Sequence, residues 1–170
     1  MALRVSSLNC RSIGTTCRRA AIFKILAGYA ADIYCLQDCN LREAPHTANW
    51  TLGDAVWSLG RSRNTGVGIF LKNKNIKVLR KVEVEVGRCL CVFLQYGGIC
   101  FKLFCVYAPV DKKGRLDLWE KMEFFLGGRD PVIVCGILIA FCVVGIGMWV
   151  VVGILIDLGR SWVRFYVCLV

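Results

Sequence analysis

The alternation of apolar and polar residues changes period several times along this 170-residue chain, and each change predicts an element. Leu3 to Leu8 alternates and reads as a short strand ending at Asn9. Thr15 or Thr16 can cap a helix running to about Ala30, because Ala20, Ile22, Phe23, Leu26 and Tyr29 recur near helical spacing. Asp32 to Gln37 is a short continuous apolar run, the pattern of a strand buried on both faces. The stretch from Asp38 to Asn64 contains Pro45, Asn49, Gly53 and Gly60 and predicts loops with a short strand. His46 and the residues from Asp54 to Trp57 read as structural or loop positions. Gly66 to Leu71 and Ile76 to Val86 are predicted strands, the second because Val82, Val84 and Val86 alternate with Glu83 and Glu85. Cys89 to Tyr96 and Ile99 to Tyr107 follow, with Gly97 and Gly98 between them as a hairpin turn. Arg115 to Leu126 places Leu116, Trp119, Met122, Phe125 and Leu126 on a helical repeat, and Pro131 to Gly136 is a further apolar strand. A strand–helix–strand opening, several hairpin strands and a closing helix–strand pair predict an α/β layered domain with a mixed sheet.

From Val132 to Ile156 there are 25 residues without a charge. Composition sharpens the contrast. Lys and Arg total 22 against 12 acids, a net charge of +10, yet 56% of residues are hydrophobic, which excludes a disordered chain. All bases but Arg160 and Arg164, and all acids but Asp157, lie at or before Asp130. A basic body in 1–136 is therefore joined to a hydrophobic tail in 137–170, expected to be helical.

Eleven cysteines, an odd number with no Cys-x-x-Cys pair, narrow the compartment. Cys89, Cys91, Cys100 and Cys105 fall in apolar runs, where a thiol behaves as a small hydrophobe. Met1 to Gly14 has no h-region of a secretory signal, so reduced thiols in the cytosol or nucleus are expected for the body. Zinc is not expected, because His46 is the only histidine and no ligand spacing is present.

Five segments carry a resemblance in their order: Ser7-Leu8-Asn9, Asp32 to Asp38, Gly66 to Phe70, Val106-Tyr107-Ala108-Pro109, and Pro131 to Gly136. Together they resemble the endonuclease/exonuclease/phosphatase (DNase I-like) family, and most of all the endonuclease domain of LINE-type, non-LTR retrotransposons. The resemblance covers about residues 3–136. It implies a four-layer α/β sandwich whose strand ends converge on a divalent metal, usually Mg²⁺, for hydrolysis of a DNA phosphodiester. By position it makes Asn9 and Asp38 the metal-holding pair, with Asn9 also contacting phosphate, and Tyr107 the tyrosine that approaches the scissile phosphate. The family usually carries Glu where Asp38 stands, and Asp is one methylene shorter for an ion that tolerates geometric error poorly. Read singly, Asn9 is a turn or cap residue, Asp38 a solvated strand-end carboxylate and Tyr107 a core or rim residue.

The second half of the family's site is missing. There the strand matching Pro131 to Gly136 runs into Asp-x-Asn, and a later segment supplies an Asp-His pair. Here Gly136 is followed by Ile137-Leu138-Ile139, and beyond it stand one acid, Asp157, and no His. Ile and Leu neither coordinate nor titrate, so hydrolysis by the family mechanism is not expected. The codons GAT TTT AAT for Asp-Phe-Asn, read one base late, give Ile-Leu-Ile, so the tail is expected to be an out-of-frame translation of a retrotransposon copy.

The tail also has a face-value reading. Residues 132–156 are long enough to span a bilayer as one tilted helix, and Lys112, Lys113, Arg115, Lys121 and Arg129 before them would hold the body on the cytosolic side. The alternatives are thus a single-pass membrane protein or a non-catalytic nucleic-acid binder. Arg61, Arg63, Lys72, Lys74, Lys77, Arg80, Lys81 and Arg88 cluster in the middle strands and turns, suiting contact with DNA phosphates or simply a solvated face. No small-molecule cofactor is implied.

Overall fold

A computed structural model describes residues 3–44 and 52–137, together with the backbone of two short strands, Ile154–Leu155 and Arg164–Val167. His46 lies outside these residues. The elements run β1 (Arg4–Asn9), α1 (Thr16–Ala27), β2 (Ile33–Gln37), β3 (Asp54–Ser58), β4 (Val67–Leu71), β5 (Lys77–Glu85), β6 (Cys89–Tyr96), β7 (Ile99–Tyr107), α2 (Lys112–Leu126), β8 (Val132–Ile137), β9 (Ile154–Leu155) and β10 (Arg164–Val167).

Two five-stranded sheets face each other, ordered β10-β1-β2-β4-β3 and β5-β6-β7-β8-β9. Both are mixed: β1 runs parallel to β2, and β7 parallel to β8, while the hairpin neighbours are antiparallel. The inner core comes from both sheets, with Val5, Ile33, Cys35 and Ile69 meeting Leu90, Val92, Leu103, Cys105 and Ile133. The alternate residues of the same strands point outward under a helix. Tyr34, Leu36 and Phe70 pack with Ile22, Phe23 and Leu26 of α1. Cys91, Phe104, Val106 and Val134 pack with Leu118 and Met122 of α2. Four layers result, helix–sheet–sheet–helix, and this double burial explains why β2 and β7 read as continuous apolar runs rather than alternating ones.

The local signals behave as their chemistry requires. The Thr15 hydroxyl accepts the Arg18 N–H and caps α1. Gly97 and Gly98 have φ of +58° and +82°, the two left-handed positions of a two-residue hairpin turn that pairs Tyr96 with Ile99. Helix α2 starts at Lys112, earlier than its apolar repeat predicts, because Asp111 accepts the Gly114 N–H at 2.6 Å and caps it.

Two expectations about the tail are corrected. The segment 132–156 is not one continuous helix, because Val132–Ile137 is a strand held between β7 and β9. The described parts of the tail are also strands, β9 on β8 and β10 on β1, so the expectation of a helical tail fails for them. Two open sheet edges offered hydrogen-bonding partners that periodicity cannot see. Among the described residues no helix is long and apolar enough to cross a membrane.

Candidate functional site

The parallel strands β1 and β2 end side by side, with Asn9 opposite Gln37, so Asn9 and Asp38 leave the first sheet at the same edge. The parallel strands β7 and β8 of the second sheet end with Tyr107 opposite Ile137. Backbone hydrogen bonds lace these ends into one rim. Cys10 N donates to Gln37 O at 3.0 Å, Ser12 N to Asp38 O at 2.7 Å, and Cys39 N to Gly66 O at 2.9 Å. Gly66 N reaches Gly87 O at 2.8 Å, and Tyr107 N reaches Arg88 O at 2.7 Å. Beneath the rim a buried polar bridge ties the sheets together: Gln37 Nε2 donates to Ser7 Oγ at 3.1 Å and lies 3.2 Å from Cys105 Sγ.

The turn carrying Asp38 departs from ordinary backbone. Arg11, Ser12, Asp38 and Asn40 all have positive φ, between 44° and 83°, a conformation that costs non-glycine residues energy and clusters at functional rims. That turn aims the half-buried Asp38 carboxylate at Tyr107 and Arg88. Burial raises the Asp38 carboxyl above the usual carboxylate range, although Arg88, the Tyr107 hydroxyl, Arg11 and Arg18 all favour its charged form. Its Oδ1 is shielded from solvent and has no hydrogen-bond partner. The Tyr107 hydroxyl is likewise raised, first by burial and then by the Asp38 charge, with Arg88 opposing. Asn9 Oδ1 accepts the Arg11 N–H at 3.3 Å.

Three residues outside the sequence-derived set belong to this rim. The Arg88 guanidinium lies over the Tyr107 ring, with Cζ 4.9 Å from its centroid. Arg18, in the first turn of α1, donates to Ser12 O at 2.9 Å and Cys10 O at 3.4 Å. Arg11 follows Asn9 by two residues. Charge clustering alone placed Arg88 among eight bases; the register of the β6–β7 hairpin is the signal that singles it out.

Whether this set suits Mg²⁺ follows from its chemistry. That ion wants near-octahedral oxygen ligands and is usually held by one or two carboxylates plus substrate phosphates. The rim offers one carboxylate, whose partnerless oxygen is closed to solvent, and one amide oxygen already accepting a backbone N–H. Among the described residues no three His, Cys, Asp or Glu side chains group so as to hold a metal. Arg88, Arg11 and Arg18 all favour the charged form of the same carboxylate, so its negative charge is already offset by fixed positive charge. The donor set does not fit a resident Mg²⁺.

No protein-family model matches the chain, and no curated protein does. Solved structures do. A mannosyl-6-phosphatase of Bacteroides thetaiotaomicron VPI-5482 aligns with a TM-score of 0.57 at 19% identity, over 81% of this chain and 65% of that one. An endonuclease/exonuclease/phosphatase family protein from Bacteroides thetaiotaomicron aligns with a TM-score of 0.56 at 20% identity, over 78% and 62%. The human Nocturnin catalytic domain, solved with a bound sulfate anion, aligns at 0.57 and 16% identity, over 76% and 61%. This chain spans less than two-thirds of the length of each of them. At these identities the likeness is one of fold: two mixed sheets between two helical layers, the DNase I-like sandwich of endonuclease/exonuclease/phosphatase proteins, is the fold of this chain.

Proposed function

We propose that this chain is a remnant of a LINE-type endonuclease domain, 1–136, that binds DNA without hydrolysing it. The observation that carries the reading is the pairing of Tyr107 with Ile137 across β7 and β8. In the resembled family the Asp-x-Asn triplet follows the glycine matching Gly136, so its first carboxylate would stand next to the tyrosine. An isoleucine there has no oxygen to orient a water or accept its proton. Asn9 and Asp38 then stand where the ancestral Mg²⁺ ligands stood, and Tyr107 where a hydroxyl met the scissile phosphate. Asp38 lacks the further carboxylates with which it would share a metal.

Binding is the part of the ancestral function with support in the remaining residues. Arg61, Arg63, Lys72, Lys74, Lys77, Arg80 and Lys81 are all exposed, and such a basic surface attracts nucleic-acid phosphates by releasing counterions. Two proteins of the same fold are associated by name with tetrahedral oxyanions, a mannosyl-6-phosphatase and a catalytic domain with bound sulfate. The tail, 137–170, is on this reading an out-of-frame segment. The coding DNA tests that origin, since shifting the frame by one base at codon 137 should restore Asp-x-Asn.

Incubating supercoiled plasmid with the full chain and Mg²⁺, with and without EDTA, tests the function. We expect no EDTA-sensitive nicking, together with gel retardation that weakens steeply as salt rises. Metal-dependent nicking would refute the proposal.

A further inference from the structure

We infer that Cys10 and Cys39 form a thiol–disulfide site, oxidised by a low-molecular-weight disulfide to a crosslink that ties the turn after β1 to the turn after β2. Each cysteine directly follows a residue of the rim, Cys10 after Asn9 and Cys39 after Asp38. The site stands apart from the DNA-binding reading and holds whether or not that reading does.

The geometry singles out this pair. Both thiols are free and buried, and Cys10 Sγ lies 3.9 Å from Cys39 Sγ. Bonded sulfurs sit about 2.0 Å apart, so the two must close by about 1.9 Å, within reach of side-chain rotation and a small shift of the turns. Backbone bonds already hold those turns together: Cys10 N donates to Gln37 O and Ile13 N to Cys39 O, each at 3.0 Å. The Cys10 thiol gives up only a weak bond, to Gln37 O at 3.0 Å. Cys35, Cys105 and Cys135 also share the inner core, but they lie inside β2, β7 and β8, where no opening short of parting the sheets admits an oxidant. The rim turns differ. Arg11, Ser12, Asp38 and Asn40, beside the two cysteines, have φ between 44° and 83°, so local opening there releases a conformational cost.

The chemistry is thiol–disulfide exchange. Burial pushes the Cys39 thiol up, so Cys39 stays protonated in the closed rim, and the opened turn supplies the attacking sulfur through Cys10. Its thiolate attacks the small disulfide, releases one thiol and leaves a mixed disulfide on Cys10. The Cys39 sulfur then displaces the second small thiol and forms the Cys10–Cys39 bond. Two protein thiols are oxidised, one small disulfide is reduced to two thiols, and the two protons leave on them. The crosslink closes a loop of about thirty residues that contains α1 and β2, which restricts the unfolded chain and pins Asn9 and Asp38 at the rim.

The experiment uses the full chain with Cys17→Ser, Cys100→Ser, Cys142→Ser and Cys168→Ser, which removes the two exposed thiols and those of the tail. It is incubated with oxidised glutathione, quenched with iodoacetamide in urea and digested with trypsin without reductant. Fragmentation mass spectrometry should find the peptide 5–11 joined to the peptide 25–42 through Cys10 and Cys39, with Cys35 alkylated. The thermal midpoint should rise by about 10 °C on oxidation and fall back with dithiothreitol. In Cys10→Ser neither change should appear, and the peptide map decides the matter even if that variant fails to fold. Because the opening is local, the rate of crosslinking should be nearly independent of urea below the unfolding transition. Cys10 and Cys39 both alkylated after oxidation, a link through Cys35 instead, a rate that climbs with urea as global unfolding does, or a crosslink that leaves the midpoint unchanged would each overturn the site.

Discussion

Lys102 is almost fully buried, and its ammonium is tolerated there because it satisfies the end of a helix. Its Nζ donates to the Phe125 carbonyl at 3.0 Å and to the Gly127 carbonyl, and lies 5.9 Å from the centre of the Phe93 ring. The last carbonyls of α2 would otherwise lack donors. Lys102→Met keeps the apolar stem and deletes the donor, so we expect a loss of about 2 kcal/mol, seen as a lower urea midpoint at unchanged m-value. A loss below about 0.5 kcal/mol would show that water serves those carbonyls equally well. Arg88 makes a different point about single residues. Its place opposite Tyr107 was legible in the chain, because a two-residue turn at Gly97-Gly98 pairs Tyr96 with Ile99, and eight steps back along each strand bring Arg88 to Tyr107. Read only as one charge in a basic cluster, it had no address. The positive φ of Asp38 and Arg11 was not legible in this way, since neither is glycine and the conformation is imposed by the hydrogen bonds that lace the rim.

Among the elements, those with a strong period or an unambiguous turn matched their sequence signals closely. The strands Cys89–Tyr96 and Ile99–Tyr107 fall where the alternation and the double glycine put them. The described parts of the tail did not, for a physical reason: an uncharged run has no period to read, and its length favoured a helix. What decides Ile154–Leu155 and Arg164–Val167 is the hydrogen-bonding edge that β8 and β1 present, a tertiary feature. Strand β8 is the element on which the site depends, and Gly136 is its weak point. With φ of +139° and a Cβ that would meet the Val106 carbonyl oxygen at 1.9 Å, no side chain fits against β7. Gly136→Ala should cost about 3–4 kcal/mol, measured as a lower thermal midpoint. A change below about 1 kcal/mol would mean that β8 does not lie against β7 in this register.

For the whole molecule, the fold is a DNase I-like sandwich whose strand ends converge on one rim, where one carboxylate, Asp38, stands beside Asn9 and Tyr107. The layered architecture was readable from the order of the elements and the five family-like segments. The rim's electrostatics were not, because they depend on which bases fold toward Asp38. Manganese takes the same hard oxygen ligands as magnesium and reports its own binding by electron paramagnetic resonance. Titrating Mn²⁺ into the full chain and into Asp38→Asn should give the same free-ion signal as buffer in both. One equivalent of Mn²⁺ bound to the parent chain and released by Asp38→Asn would contradict the account.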